Sequence, residues 1–374
     1  MRTLELPADK SPREWGLIHG ESFRGEIATL AILRTYLCTK VGSFTTVGQV
    51  LAAARAHLPV LESYDADLYA ELVGIAEGAG VTPEEIVIAN HYTDLRDLDP
   101  DPATWKPAPT SDQVPPHDHV GHDHDHGAGH ADGCSTLYAQ SPSGHILAQT
   151  WDMHATAIPY VMTLRVPETQ RGPAATLMTV TGCLGMTGMN AKRVGIAINN
   201  LFSIDATLGV VWPAMVRKAL TRTSAAEARD VIATSPIGSG HHYIVADKRH
   251  AYAIEASGTR RKLLDVQGSY CHTNHALDAD IVKVSKVPGT SSTYERQQWL
   301  EGDVARAPVA DLTDAWQRLG SEEGWPRSVC TNMATPEAPH GVATCGAIAM
   351  NVSTGELWIQ QGMIHNVAPE KWQL

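Results

Sequence analysis

Apolar positions in the first quarter of the chain recur at spacings of three and four. Leu68, Leu72, Ile75 and Ala79 fall on one face, and Gly80 follows them; that period predicts a helix closed by a glycine. Thr82-Pro83-Glu84-Glu85 then reads as a helix start, with Thr82 as N-cap, Pro83 at the first helical position and Glu85 completing a capping box. Residues 12 to 93 are accordingly expected to be largely helical. From residue 134 the period shortens. Thr136 to Gln140 and His145 to Gln149 flank a Ser141-Pro142-Ser143-Gly144 turn, which predicts a hairpin. Val161 to Val166, Ala175 to Thr181 and Gly195 to Phe202 alternate or run apolar. Tyr243 to Asp247 and Ala251 to Ser257 flank Lys248-Arg249, and Ala347 to Val352 and Glu356 to Gln361 flank Ser353-Thr354-Gly355. Helices are expected at roughly 212 to 232, after Trp212-Pro213, and at 291 to 318. This order predicts an α+β fold, two antiparallel sheets faced by helices.

Residues 98 to 133 break both periods. Pro100, Pro102, Pro107, Pro109, Pro115 and Pro116 precede His117, His119, His122, His124, His126 and His130. Such a stretch buries too little apolar surface to fold alone, and it reads as a solvated loop. Imidazoles could chelate zinc, nickel or copper. A catalytic metal, however, needs ligands on rigid elements, and Gly121, Gly127 and Gly129 argue against rigidity here. No metal or other cofactor is expected.

The loop ends at Asp132-Gly133-Cys134-Ser135-Thr136, so a cysteine is the first residue of strand-like sequence. A lone cysteine is more often a small buried apolar side chain than a nucleophile. At this seam, cleavage of the Gly133-Cys134 bond would make Cys134 a new N-terminus. Its thiol would be the nucleophile and its α-amine a base, with a reference pKa of ~7.7 to 8.0. Glycine at 133 is expected to let the scissile carbonyl adopt a strained geometry. The hairpin returns Trp151-Asp152 beside Cys134, where a carboxylate could orient the new amine. Far downstream, Cys271-His272-Thr273-Asn274-His275 could equally end a strand or carry an oxyanion donor.

These residues, in this order, closely resemble the isopenicillin N acyltransferase (acyl-CoA:6-aminopenicillanate acyltransferase) family of self-cleaving N-terminal-nucleophile hydrolases. Trp15-Gly16-Leu17-Ile18-His19-Gly20, Gly74-Ile75-Ala76-Glu77-Gly78 with Glu84-Glu85-Ile86-Val87, and Asn190 with Gly195-Ile196-Ala197-Ile198-Asn199 also match its pattern. The resemblance spans about residues 10 to 362. It implies a four-layer αββα sandwich, Asn274 as oxyanion donor beside the catalytic pair Cys134 and Asp152, and processing between Gly133 and Cys134. Residues 1 to 133 would then form an α chain and 134 to 374 a β chain of one integrated fold. Arg296 matches a family arginine, for which a salt bridge and a substrate contact both stay open, and Trp151 is a further candidate substrate contact. The family has another arginine near position 340, where this chain reads Pro339-His340-Gly341. His340 is the candidate replacement, although an imidazole cannot make a bidentate guanidinium contact.

Composition narrows the partners. The chain has 374 residues, 43% of them hydrophobic, enough for a sizeable core. A formal net charge of −12 argues against nucleic acid and anionic membranes as partners. No apolar run approaches the ~18 to 20 residues of a membrane span, and Met1 to Lys10 lacks a signal peptide's apolar stretch, so a cytoplasmic location is expected. Six cysteines without CxxC spacing suit separate thiols. The expected partner is a small-molecule acyl donor, an amide or a thioester, with water as acceptor giving a hydrolase and an amine giving an acyltransferase. The rival reading is a metal-handling protein that displays the histidine loop on an inactive scaffold.

Overall fold

The computed structural model describes residues 1–110 and 133–374; the histidine cluster lies outside these. Five helices fill most of the first part: α1 (Pro12–Ser22), α2 (Arg24–Val41), α3 (Val47–Tyr64), α4 (Ala66–Ala79) and α5 (Pro83–Asp97). The expected cap of α5 is present, since Glu85 N donates to Thr82 Oγ1 while Thr82 N donates to Glu85 Oε2. Gly80 closes α4 with φ 72°. The glycines of the two N-terminal motifs are packing devices. A Cβ on Gly16 would lie 2.0 Å from Glu71 O, and one on Gly74 would lie 2.2 Å from Arg13 O. Only glycine lets α1 and α4 approach backbone to backbone.

A strand precedes the helices. Arg2–Glu5 forms β1, which pairs in parallel with β4 (Val161–Val166). Not all of 98 to 133 is a free loop. Ala108 N donates to Leu208 O and Leu208 N to Lys106 O, both at 2.8 Å, and Trp105 Nε1 donates to Asp99 O at 2.7 Å. Extended residues before prolines supply a bridge that composition alone did not suggest.

The remaining strands are β2 (Gly133–Ser141), β3 (Gly144–His154), β5 (Ala175–Val180), β6 (Thr187–Asn190), β7 (Gly195–Asn200), β8 (His241–Ala246), β9 (Ala251–Ala256), β10 (Arg261–Val266), β11 (Ser269–His272), β12 (Val342–Asn351), β13 (Glu356–Gln361) and β14 (Glu370–Gln373). They form an eight-stranded sheet, β1-β4-β5-β6-β7-β8-β9-β10, and a six-stranded sheet, β11-β2-β3-β12-β13-β14. The helix expected at 212 to 232 is two, α6 (Trp212–Ala219) and α7 (Ala225–Thr234), because Ser224 caps a new start by accepting from Glu227 N. The one expected at 291 to 318 is also two, α9 (Thr293–Arg306) and α10 (Leu312–Leu319), separated by Ala307-Pro308 and restarted by the Asp311 cap. A short α8 (Ala279–Val282) precedes α9.

Alternation along β2 and β3 assigns the layers. Tyr138, Leu147 and Trp151 join one large core with Ile196 and Val245 of the eight-stranded sheet and with Ile27, Leu72 and Ile86 of α2, α4 and α5. Leu137, Ile146 and Ala148 point the opposite way, into a second core with Leu300 of α9 and Leu312, Trp316 and Leu319 of α10. The result is helices, sheet, sheet, helices, the four-layer αββα sandwich. Cys134 belongs to the face between the sheets.

Candidate active site

The turn at Ser141 to Gly144 sets the hairpin register so that Gly133 opposes Asp152 and Cys134 opposes Trp151. Cys134 and Trp151 are both buried between the sheets. Asp152 lies on the other face of β3, and β12 flanks it on the far side through Thr344. Gly133 has little space around it: a Cβ there would lie 3.0 Å from Asp152 Oδ2 and 3.5 Å from Arg296 Nη2. The carboxylate therefore sits against the backbone one residue ahead of the cysteine.

Two distant segments converge on the Cys134 backbone. Cys134 N donates to Asn274 Oδ1 at 2.7 Å. Arg296, buried on α9, donates through Nη1 to Cys134 O at 2.8 Å and to Ser135 Oγ at 2.9 Å, and through Nη2 to Asn274 Oδ1 at 2.8 Å. Two donors on Oδ1 fix the orientation of the Asn274 amide, whose Nδ2 donates to Asn200 O at 2.9 Å. Asn199 Nδ2 donates to Cys134 O at 3.0 Å. The cysteine's amide and carbonyl are thus both held by side chains rather than by a neighbouring strand.

Asp152 is wholly buried, and among the described residues neither carboxylate oxygen has a hydrogen-bond partner. Burial pushes it up to about 7, against the pull of the Arg296 guanidinium and the nearby hydroxyls of Thr344 and Thr150. Burial also lowers Arg296, which the proximity of Asp152 opposes; a guanidinium nonetheless keeps its proton. Cation and carboxyl are both buried at the Gly133-Cys134 junction without a hydrogen bond between them.

Behind this pocket lies a polar network that sequence reading missed. Asn199 Oδ1 accepts from Thr136 Oγ1 at 2.9 Å and faces His242 Nδ1 at 2.8 Å. His242 stacks on His272 with centroids 3.7 Å apart, and His272 Nε2 lies 2.6 Å from Glu255 Oε1. Burial raises Glu255, but its bond to His272 and the N–H groups of Asp278 and Leu277 overcome this and hold it below the usual carboxylate range. The signal was faint: Glu255 is the lone acid in the apolar strand Ala251–Ala256, and Asn199 is the first polar residue of the strand Gly195–Asn200.

The other named residues are placed as follows. His272 belongs to the network just described. His275 packs on Tyr294, and its Nδ1 lies 2.9 Å from Thr293 Oγ1. His340 lies beside Thr156, 3.2 Å from its hydroxyl, with the rings of His154 and Tyr36 nearby. The structure does not bring it onto Cys134, Asp152 or Asn274. All six cysteines are buried, and no disulfide joins any of them. Among the described residues no group of three or more His, Cys, Asp or Glu is arranged to hold a metal ion, and no helix is long and apolar enough to cross a membrane.

Comparison with known proteins matches residues 139–343 to the family described as acyl-coenzyme A:6-aminopenicillanic acid acyl-transferase. The matched span begins just after Cys134 and contains Asp152, Asn274 and Arg296. Among curated proteins, the chain is 25% identical over 342 residues to the 40 kDa form of acyl-coenzyme A:6-aminopenicillanic-acid-acyltransferase of Emericella nidulans, covering 87% of this chain and 84% of that one. Among solved structures it is similar to a mutant conjugated bile acid hydrolase from Clostridium perfringens, at 11% identity and TM-score 0.46 over 64% of this chain and 92% of the other. It is also similar to penicillin V acylase from Agrobacterium tumefaciens, at 11% identity and TM-score 0.36 over 64% and 84%.

Proposed function

The chain belongs to the acyl-coenzyme A:6-aminopenicillanic acid acyl-transferase family, and from that membership we propose that it is a self-activating cysteine amidohydrolase or acyltransferase whose nucleophile is Cys134. In the activating step Cys134 Sγ attacks the Gly133 carbonyl carbon. The C–N bond breaks as the S–C bond forms, and the Cys134 nitrogen takes up a proton to become an amine. Water then opens the thioester, leaving a carboxylate on Gly133 and a free thiol on Cys134. The products are an α chain of residues 1 to 133 and a β chain of residues 134 to 374.

In turnover the same thiol attacks the acyl carbon of a small amide or thioester. Its proton passes to the Cys134 amine and from there to the leaving group. Transfer of the acyl group to water makes a hydrolase, and transfer to an amine makes an acyltransferase. Asp152 orients the amine, and Arg296 braces the Cys134 carbonyl. Asn274 anchors the nitrogen through Oδ1 and serves the oxyanion through Nδ2, exchanging its bond to Asn200 O for the developing charge. The observation that carries this reading is the hold on Cys134: its nitrogen on Asn274, its carbonyl on Arg296 and Asn199, and a buried carboxylate against the preceding glycine.

A mass-spectrometric screen of acyl amides and acyl thioesters, run beside intact-mass analysis, tests the reading. Wild type should contain a β chain beginning at Cys134 and turn over at least one class of donor. Cys134→Ala should remain one chain and be inactive. An active wild type that stays a single chain refutes self-activation.

A further inference from the structure

On the helical side of the eight-stranded sheet, opposite the face that packs on the six-stranded sheet and Cys134, a cavity of ≈ 260 Å³ opens between α1, α4, the β4–β5 connection and α6. Trp15, Leu68, Val166 and Leu220 give it apolar walls. Its charged lining consists of Arg171, Arg217, Lys218 and Arg222 against Asp65, Asp67 and Glu71, four cations against three anions. Three cations are matched one to one. Arg217 grips Glu71 in a buried bidentate pair at 2.9 and 3.0 Å, Arg171 donates to Asp67 at 2.7 Å, and Lys218 lies 3.4 Å from Asp65 while donating to Tyr64 O.

Arg222 is the remainder. Among the described residues its side chain makes no ion pair, and its Nε is shielded from solvent without a hydrogen-bond partner. It lines both this cavity and an adjoining one of ≈ 570 Å³, which also shares Lys218 and Thr221. Both carboxylates on that second cavity are already engaged: Glu227 Oε2 accepts from Thr223 N and Thr223 Oγ1, both at 2.9 Å, and Asp230 pairs with Arg229 at 2.7 Å. A buried donor left unpaired is costly, and a guanidinium fork matches a planar anion.

We propose that this cavity is a second ligand site, separate from the acyl-transfer centre, that takes a small amphiphilic carboxylate with its head group on Arg222 and its chain against Trp15, Leu68 and Leu220. The volume lies near the lower end of ligand pockets, which run from ~300 Å³, so the occupant has a short chain. Apolar walls disfavour a bare inorganic anion, and the unmatched cation disfavours a neutral alcohol.

Titration calorimetry of the processed protein with sodium hexanoate, inorganic phosphate and hexan-1-ol tests the site. Hexanoate should bind more tightly than either control. Arg222→Gln should weaken hexanoate by roughly tenfold or more while leaving hexan-1-ol unchanged, Arg222→Lys should recover part of the loss, and acyl turnover should be unaffected. Trp15→Phe should remove the fluorescence change that hexanoate causes in wild type. The proposal fails if hexanoate does not bind, if Arg222→Gln binds it as wild type does, if phosphate binds equally well, or if alkylating Cys134 abolishes the binding.

Discussion

The backbone nitrogen of Cys134 donates to Asn274 Oδ1 at 2.7 Å. That nitrogen is the atom that cleavage would turn into the N-terminal amine. Arg296 donates to the same oxygen, so a guanidinium on α9 and an amide beyond β11 meet at the position where a new charge would appear. The intact chain already has the polar environment that the cleaved chain would use, so the proposed activation would need no large rearrangement of these contacts.

The Asn274 amide can be divided by substitution. Asn274→Ala removes both the acceptor and the donor, and turnover should fall by roughly 10² to 10³ with the fold intact. Asn274→Asp keeps acceptors for Cys134 N and Arg296 but has no N–H for an oxyanion. If Nδ2 is the oxyanion donor, the Asp variant should be as slow as the Ala variant, although it still anchors the amine. Wild-type turnover by Asn274→Asp would remove the donor role and leave Asn274 as an anchor alone.

Position 133 tests the tight approach of Asp152. A Cβ at 133 would sit 3.0 Å from Asp152 Oδ2 and 3.1 Å from its Cβ, so Gly133→Ala should displace either the carbonyl or the carboxyl. The shift required is smaller than the roughly 1 Å misplacement that costs on the order of 10²-fold, so the rate should fall by less than that. Intact-mass time courses should show slowed processing of Gly133→Ala while circular dichroism stays that of wild type. Processing at the normal rate would mean that the space next to Asp152 is unimportant to the step.

Much of this site was legible in the sequence because its parts are local. The alternation on either side of Ser141 to Gly144 set the register that opposes Gly133 to Asp152, and Thr82 to Glu85 spelled a cap. What was not legible depends on distance in the chain. Nothing near Arg296 in sequence indicates that its guanidinium reaches Cys134 O, and nothing near Asn199 indicates that it shares that carbonyl. Single helices were also expected across Leu220 to Ser224 and across Ala307-Pro308, where local capping chemistry ends one helix and starts another. His340 occupied the right place in the linear pattern, yet its ring lies beside Thr156.

Asp152 should make the precursor's stability depend on pH. Its folded pKa is raised to about 7, above an unfolded value of ~3.9. The contribution of the protonated carboxyl is fully present below ~pH 4 and is lost as pH rises toward 7, with a slope of about 1.4 kcal/mol per unit for one group. Asparagine does not titrate. In the uncleaved Cys134→Ala background, Asp152→Asn should therefore gain stability relative to Asp152 as pH rises from ~4 to ~7. Denaturant melts at intervals across that range read the difference, and a pH-independent difference would show that Asp152 is ionised in the folded precursor.

The identity of the base is tested by the pH dependence of turnover. If the α-amine of Cys134 accepts the thiol proton, activity should rise with pH as that amine loses its own proton. Its reference pKa is ~7.7 to 8.0. Burial and Arg296 both disfavour an ammonium at this position, whereas Asp152 favours one, so the rising limb should lie near or below the reference. A histidine could produce a similar limb, and three are candidates. His272 is committed to Glu255 and to Thr273 O, His275 is lowered to about 4, chiefly by burial, and His340 lies against Thr156. None of the three makes a hydrogen bond to Cys134 in the structure. His272→Ala, His275→Ala and His340→Ala should each keep the rising limb of kcat/KM, even where the rate falls. Loss of the limb in one of them, with processing still complete by intact mass, would assign the base to that histidine and overturn the amine mechanism.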